Sequence, residues 1–423
     1  MKRKVAIIGA GISGLTVANI LKDSYDVVVF EKENAPGGLI RCKKIDGNLF
    51  HTCGGHVFNS KRHDVLEWFW ARFDQEAEFV KADRNSVIDM GLEKMIPYPI
   101  ENSIYLLDTN IQREIVRDWL CIANNNVAAS NFEEFLRERF GETLYALYFK
   151  PYNEKIWRRD LRQVSLSWLE GKLPMPSVDD MIINNINQTK EKAFVHSTFW
   201  YERRGGSQLI ADRLSENISI EYNADIQSIK KSHWGGYNVN GNQFDMVVFC
   251  GNLKELPSVL DGVDISSFHT DIDSLEYHGT TSVFCEIDAN PYSWVYLPST
   301  AHQAHRIICT GNFSPYNNVP GKTTATIEFT DEIDKDTILE NLSEVPFTPR
   351  YITHQYNRYT YPIQDAKTRE MIKYLKDTLS TENFYFTGRF ADWEYYNMDV
   401  AIGAAMDLCR TIVKMNTDIA TNS

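Results

Sequence analysis

Cysteine is sparse in this chain and badly placed for a framework. The seven present, Cys42, Cys53, Cys121, Cys250, Cys285, Cys309 and Cys409, are odd in number, scattered and without any C-x-x-C pair. That excludes a disulfide scaffold or a zinc finger and predicts free thiols in a reducing cytoplasm. Positive charge is short as well: 44 Lys and Arg stand against 57 Asp and Glu, a net charge of -13. Nucleic acid and anionic membranes are therefore poor partners, and any anionic ligand has to be met by a local basic cluster. No apolar run of about 20 residues occurs, so no membrane span is expected. The start, MKRKVAIIGAGISGLTVANIL, has the basic end and apolar stretch of a signal peptide, but glycines interrupt it and no cleavage-like site follows. Internal repeats and low-complexity tracts are also missing, apart from a short polar tail after about residue 415. At 423 residues the chain is too long for one core, and two or three packed domains are expected.

What is there begins with KVAIIGAGISGLTVANILKDSYDVVVFE, which reads as strand, tight turn, amphipathic helix and second strand. Each glycine has its own steric task. Gly9 makes the turn, Gly11 lets backbone approach a pyrophosphate, and Gly14 allows the helix to pack on the sheet with its N-terminus aimed at the phosphates. Glu31 closes the second strand, where a carboxylate accepts hydrogen bonds from an adenosine ribose. The agreement of strand, turn, helix and acid predicts dinucleotide binding. Gly37 and Gly38 follow a few residues later, and resemblance to flavoproteins at this pair favours FAD over NAD.

Further along, residues 111 to 195 carry apolar side chains at spacings of three and four, as in FEEFLRERFGETLYALYFKPYNEKIW, and predict a helical insertion. RGGSQLIADRLSENISIEYN and QFDMVVFCGN return to the turn-helix-strand style of the start. From 256 to 360, segments such as TSVFCEIDA, SWVYLPS, HRIICTGNFS and TATIEFT predict a mostly antiparallel sheet. The last forty residues add a strand, NFYFTG, and a helix, VAIGAAMDLCRTIV. The expected fold is α/β: a discontinuous Rossmann-like FAD-binding domain (1–95, 199–255 and 380–423) with an inserted helical subdomain (96–198) and an inserted, mostly antiparallel β-sheet substrate domain (256–379).

Taken in order, the fingerprint, GGHVF (54–58), PYPIEN (97–102), KPYNEKIW (150–157), ERRGG (202–206), SWVYLP with HRIICTGNFSPYN, YPI (361–363) and GRFADWEYYNMD (388–399) resemble the UDP-galactopyranose mutase family, flavoenzymes of the amine-oxidase-like superfamily. The likeness is to its eukaryotic-type branch in particular, although this chain is shorter. The resemblance implies an isomerase that interconverts UDP-galactopyranose and UDP-galactofuranose, for cell-surface polysaccharide, with no net redox change. In that family the reduced flavin N5 attacks the anomeric carbon and displaces the nucleotide; NADPH or NADH is the expected reductant. The cofactor supplies the nucleophile and the protein supplies position and charge.

The resemblance also implies roles for residues. Cofactor contacts fall to Gly9, Gly11, Ser13, Gly14, Glu31, Gly38, Leu39, Gly55, His56, Gly388, Arg389 and Met398. The leaving diphosphate carries about two negative charges and needs fixed guanidinium groups; Arg306, Arg389 and Arg204 match the family's arginines, with Arg203 adjacent to the last. Tyr296, Tyr361 and Tyr395 match its phosphate-binding hydroxyls, Tyr98 and Asn102 its cover over the base, and Asn153 and Trp157 its sugar-facing wall. His56 matches the histidine near the reactive part of the flavin, so catalysis falls to His56, Arg306 and Arg389. No metal is expected, and a homo-oligomer is admitted. The chain departs from the family at Glu101, at Asn397, where an acid is commoner, and between Trp157 and Phe199, where a mobile loop closes over substrate; no protein general base is evident. Three other readings stand beside this one: a mutase for another UDP- or dTDP-sugar, an amine or protoporphyrinogen oxidase, and a non-catalytic FAD scaffold.

Overall fold

The computed structural model describes residues 2–91, 94–123, 129–166, 176–189 and 197–421. Three β-branched runs, Lys4–Ile8, Asp26–Phe30 and Met246–Phe249, form the centre of a five-stranded sheet whose order is Phe384–Phe386, Met246–Phe249, Lys4–Ile8, Asp26–Phe30, Ser219–Glu221. All four pairings are parallel, with Val5 opposite both Val27 and Met246. Both faces of such a sheet must be covered, which is why these strands read as unbroken apolar runs. Val5, Ile7 and Val29 bury against Leu15, Val17, Ile402 and Ala405 of the Ile12–Leu21 and Met398–Thr421 helices. Ala6, Ile8, Val247 and Phe384 turn the other way, onto Met371, Ile372 and Leu375 of the Ala366–Ser380 helix and onto Tyr237 and Phe244.

The middle of the chain holds the helices Thr109–Ile122, Phe132–Phe140, Lys150–Trp157 and Val178–Asn187. Their apolar stripes, such as Phe132, Leu136 and Phe140, close a core around Trp119, whose indole N–H donates to the Phe140 carbonyl at 3.0 Å. A single π-helical turn, Tyr145–Phe149, runs into the Lys150–Trp157 helix; such turns often mark functional sites. Residues 167–175 and 190–196, which take up much of the segment where a substrate-closing loop is expected, lie outside the described residues.

A second sheet has seven strands in the order Arg350–Pro362, Tyr277–Glu286, Thr324–Thr330, Arg306–Ile308, Trp294–Tyr296, Ser86–Asp89, Met95–Pro97. It is antiparallel apart from the parallel pairing of Trp294–Tyr296 with Ser86–Asp89. Its last two strands come from the stretch that the expected boundaries divide between the first segment and the helical one. Similarly, the Ala366–Ser380 helix lies, all but its last residue, in the expected substrate segment but packs on the parallel sheet. Among the described residues no helix is long and apolar enough to cross a membrane.

Candidate active site

The parallel strands end together at Gly9, Glu31, Cys250 and Gly388, and a cavity of about 850 Å³ opens at this carboxyl edge, where open α/β sheets take their ligands. The glycines divide their work by geometry. Gly14 is needed for packing, since a Cβ there would lie 2.0 Å from the Gly9 carbonyl oxygen. At Gly11 a Cβ would meet nothing within 4 Å and would fill open cavity. Gly37 donates its N–H to the Ala10 carbonyl at 2.8 Å, so the second glycine pair lies across the mouth of the first turn. The Glu31 carboxylate is buried and takes the N–H of Ala10 at 2.7 Å and of Glu33 at 3.0 Å, one on each oxygen. Each oxygen keeps a second lone pair.

Gly9, Gly11, Ser13, Gly14, Glu31, Gly38, Leu39, His56, Gly388, Arg389 and Met398 all line this cavity; Gly55 does not. A Cβ on Gly55 would come within 2.5 Å of Ile308, so glycine there permits close approach to the second sheet. Two buried nitrogens, Nε2 of His56 and Nε of Arg389, have no hydrogen-bonding partner among the described residues. Burial, and then the charge of Arg389, pushes the His56 imidazole down to about 4, so it is neutral at physiological pH with one donor and one acceptor nitrogen. An open glycine cradle, a carboxylate at the ribose position and two orphaned polar atoms at the far end fit an elongated dinucleotide such as a flavin.

Beyond that end the second sheet brings arginines and tyrosines together. Arg389 lies 4.2 Å from the Tyr395 ring centroid and 5.2 Å from that of Tyr361, and the two rings stack at 5.6 Å with planes 4° apart. The Tyr361 hydroxyl accepts from Arg306 Nη2 at 3.0 Å. Arg306 pairs in register with Tyr296 across adjacent strands. Tyr296 in turn packs against Tyr98 at 4.7 Å and against Tyr152 at 5.5 Å, and its hydroxyl accepts from Arg84. Hence Tyr98, Tyr296, Arg306, Tyr361, Arg389 and Tyr395 form one connected group.

The other expected residues lie elsewhere. Arg204 is exposed, 3.9 Å over the Tyr316 ring, and Arg203 is exposed with Nη2 donating to the Glu76 carbonyl at 3.1 Å; neither lines the cavity. Asn153 is buried and donates to the carbonyl of Phe149, the last residue of the preceding π-helical turn, at 2.7 Å. Asn102 is buried and accepts from Asn184 at 3.3 Å. Trp157 meets Phe132 edge-on at 6.3 Å and borders a second cavity of about 710 Å³ between the helical segment and the Ala366–Ser380 helix.

Sequence reasoning missed three features. The run Gln355–Tyr359, just before YPI, lines the cofactor-sized cavity; its two tyrosines, Tyr356 and Tyr359, so close to that motif were a readable signal. Arg84, 5.0 Å from the Trp294 ring and 5.6 Å from that of Tyr98, gave none. Glu328, a lone acid in TATIEFT, is fully buried and binds Arg306. A charge inside a strand of that composition requires a partner, so it too was readable.

Fold and cavity define the class, a dinucleotide-binding enzyme of Rossmann type, and the profile of the NAD(P)-binding Rossmann-like domain matches residues 7–73. Over almost its whole length the chain is similar to sugar-nucleotide mutases. It is 22% identical over 432 residues to dTDP-fucopyranose mutase from Escherichia coli, covering 98% of this chain and 100% of that one. It is 22% identical to UDP-galactopyranose mutase from Mycoplasma genitalium, over 94% of this chain and 92% of the relative. The crystal structure of reduced UDP-galactopyranose mutase superposes with a TM-score of 0.86 at 20% identity, over 98% of this chain and 94% of that one. The chain has the fold of the UDP-galactopyranose mutases and is related to these isomerases from end to end.

Proposed function

We propose that this protein is a flavin-dependent nucleotide-sugar mutase that interconverts UDP-galactopyranose and UDP-galactofuranose with no net redox change. The observation that carries this reading is the connected group Arg389, Tyr395, Tyr361 and Arg306, set at the end of a dinucleotide-sized cavity. Backbone amides of the Gly9–Gly11 turn and the N-terminus of the Ile12–Leu21 helix hold the FAD pyrophosphate, and Glu31 takes the ribose hydroxyls. When bound and reduced, with NADPH or NADH as donor, the flavin supplies the nucleophile for the anomeric carbon. The chain's own residues then hold the departing nucleotide. Arg389 and Arg306 offer charge to its diphosphate, and the Tyr361 and Tyr395 hydroxyls offer hydrogen bonds without adding charge. Tyr98 and Tyr296 present ring faces to the base. Neutral His56 presents one nitrogen to the cavity, to hold a proton or accept one at Nε2. An oxidase of amines or porphyrinogens has no use for paired guanidinium groups at this place. All seven cysteines are unpaired, which supports a reducing compartment such as the cytoplasm.

A dTDP-sugar is the second reading, because the dTDP-fucopyranose mutase is as similar, at 22% identity, as the UDP-galactopyranose mutase. Incubation of the purified yellow protein with UDP-galactofuranose, with and without dithionite, tests the proposal: UDP-galactopyranose should form only with reduced flavin. Turnover by the oxidised protein, or substrate-dependent oxygen consumption, sinks it. A panel of UDP- and dTDP-sugars offered to the reduced protein separates the two readings.

A further inference from the structure

We propose that Glu328 is the counter-anion of the diphosphate cradle, neutralising Arg306 so that the departing nucleotide is held loosely enough to return or leave; this rests on the nucleotide-sugar reading above. Glu328 stands in the Thr324–Thr330 strand, every residue of which is buried. One carboxylate oxygen accepts from Arg306 Nε at 2.8 Å and from Nη2 of the same guanidinium. The other accepts the Gly54 N–H at 3.0 Å, two residues before His56. His305 Nε2 lies 3.7 Å from the first oxygen. Burial alone pushes this carboxyl up, but Arg306 and His305 outweigh it and hold it at about 2, so it is ionised throughout the working range.

Two consequences follow from this geometry. The guanidinium edge formed by Nε and Nη2 is committed to Glu328 and Tyr361, and among the described residues no hydrogen bond holds Nη1, the arm left to reach a phosphate. The pair is also electrically neutral. Arg204 is away on the surface, so the net positive charge at the group falls to Arg389, beside Tyr361 and Tyr395, and to Arg84, bonded to Tyr296. Binding that is equally strong before and after bond breaking adds nothing to turnover, and a partly cancelled cradle limits it. Glu328 acts through Arg306 and through the His56 loop, and is a positioning residue.

The test is the affinity of the holoenzyme for UDP and for dTDP, measured by titration calorimetry with the unmodified protein and with Glu328→Gln. The amide keeps the volume but removes the charge, and nucleotide affinity should rise by roughly tenfold, the scale of one charge-assisted contact. A residue that merely supported the fold would weaken binding when changed. Glu328→Asp, which draws the carboxylate back by one methylene, should tighten binding several-fold and serves if the glutamine variant fails to fold. The double variant Arg306→Gln, Glu328→Gln should bind no tighter than the unmodified protein. Unchanged or weaker binding in both single variants overturns the inference while leaving the mutase reading standing. An unmodified holoenzyme that binds neither nucleotide overturns that reading, and this inference with it.

Discussion

Gly388 fixes where Arg389 can go. Its φ of +126° is in the region that favours glycine, its N–H donates to Asp392 at 3.0 Å, and a Cβ would meet Ser13 Oγ at 3.3 Å. Gly388→Ala should therefore cost roughly 1 to 3 kcal/mol and lower the flavin retained per protein, read from the ratio of absorbance at 450 nm to that at 280 nm, on the order of the usual flavin band. Arg389→Ala and Arg306→Ala should each weaken UDP binding by roughly 1.5 to 3 kcal/mol, as hydrogen bonds to charged groups do; unchanged calorimetric affinity in both removes them from the proposed site. At this scale the sequence was legible wherever a residue type had a single steric or electrostatic use. Gly11 and Gly14 are of that kind. Arg204 was not, because adjacent arginines on a turn carry no signal of which way they point, and here both face solvent.

The strand-turn-helix at the start allows the two uses of glycine to be separated by experiment. Gly11→Ala adds a methyl to empty space at an extended position, φ -74° and ψ 177°. The protein without flavin should keep its unfolding free energy to within about 0.5 kcal/mol, while affinity for FAD falls. Gly14→Ala drives a Cβ into the Gly9 carbonyl and should lose stability and flavin together, by roughly 1 to 3 kcal/mol or more. Equal effects of the two on thermal unfolding would contradict this division. Elements of this kind, in which local contacts decide, were readable: the strands, the first helix, the helical middle and the antiparallel character of residues 277 to 362. The membership of the second sheet was not. Ser86–Asp89 joins it by pairing with Trp294–Tyr296, some two hundred residues away, and no periodicity in either segment encodes the other's address.

For the molecule as a whole, acid should be the weak side. Burial is the first cause of a low pKa at His51, about 3, at His56, about 4, and at His302, about 4. A histidine with a folded pKa below its unfolded value contributes stability above about pH 6.5 and loses it as pH falls toward the folded value. Glu202 acts oppositely: burial raises it to about 8, so its contribution is lost as pH rises from about 4.5 to 8. Burial also lowers His305 and raises Asp399, so four histidines stand against two acids, a net loss on acidification from about pH 6.5 to 4.5 of up to roughly 2 to 3 kcal/mol per pH unit. Thermal unfolding followed across that window should show the midpoint falling steadily; a flat profile contradicts the buried, neutral histidines. Glu202→Gln should remove one opposing contribution and steepen the decline.

The cofactor-sized cavity draws its wall from Ile8 at one end of the chain and from Ala401 at the other, with Gln355–Tyr359 between. During synthesis the glycine cradle emerges well before the strand that faces it and the helix that closes its far end. The Lys4–Ile8 strand waits for its neighbour Met246–Phe249, and that strand waits in turn for Phe384–Phe386, made shortly before the closing helix. Flavin loading is thus an event that follows translation. A chain released before the final helix would leave the ribosome with its phosphate-binding turn made and nothing to keep a cofactor in it.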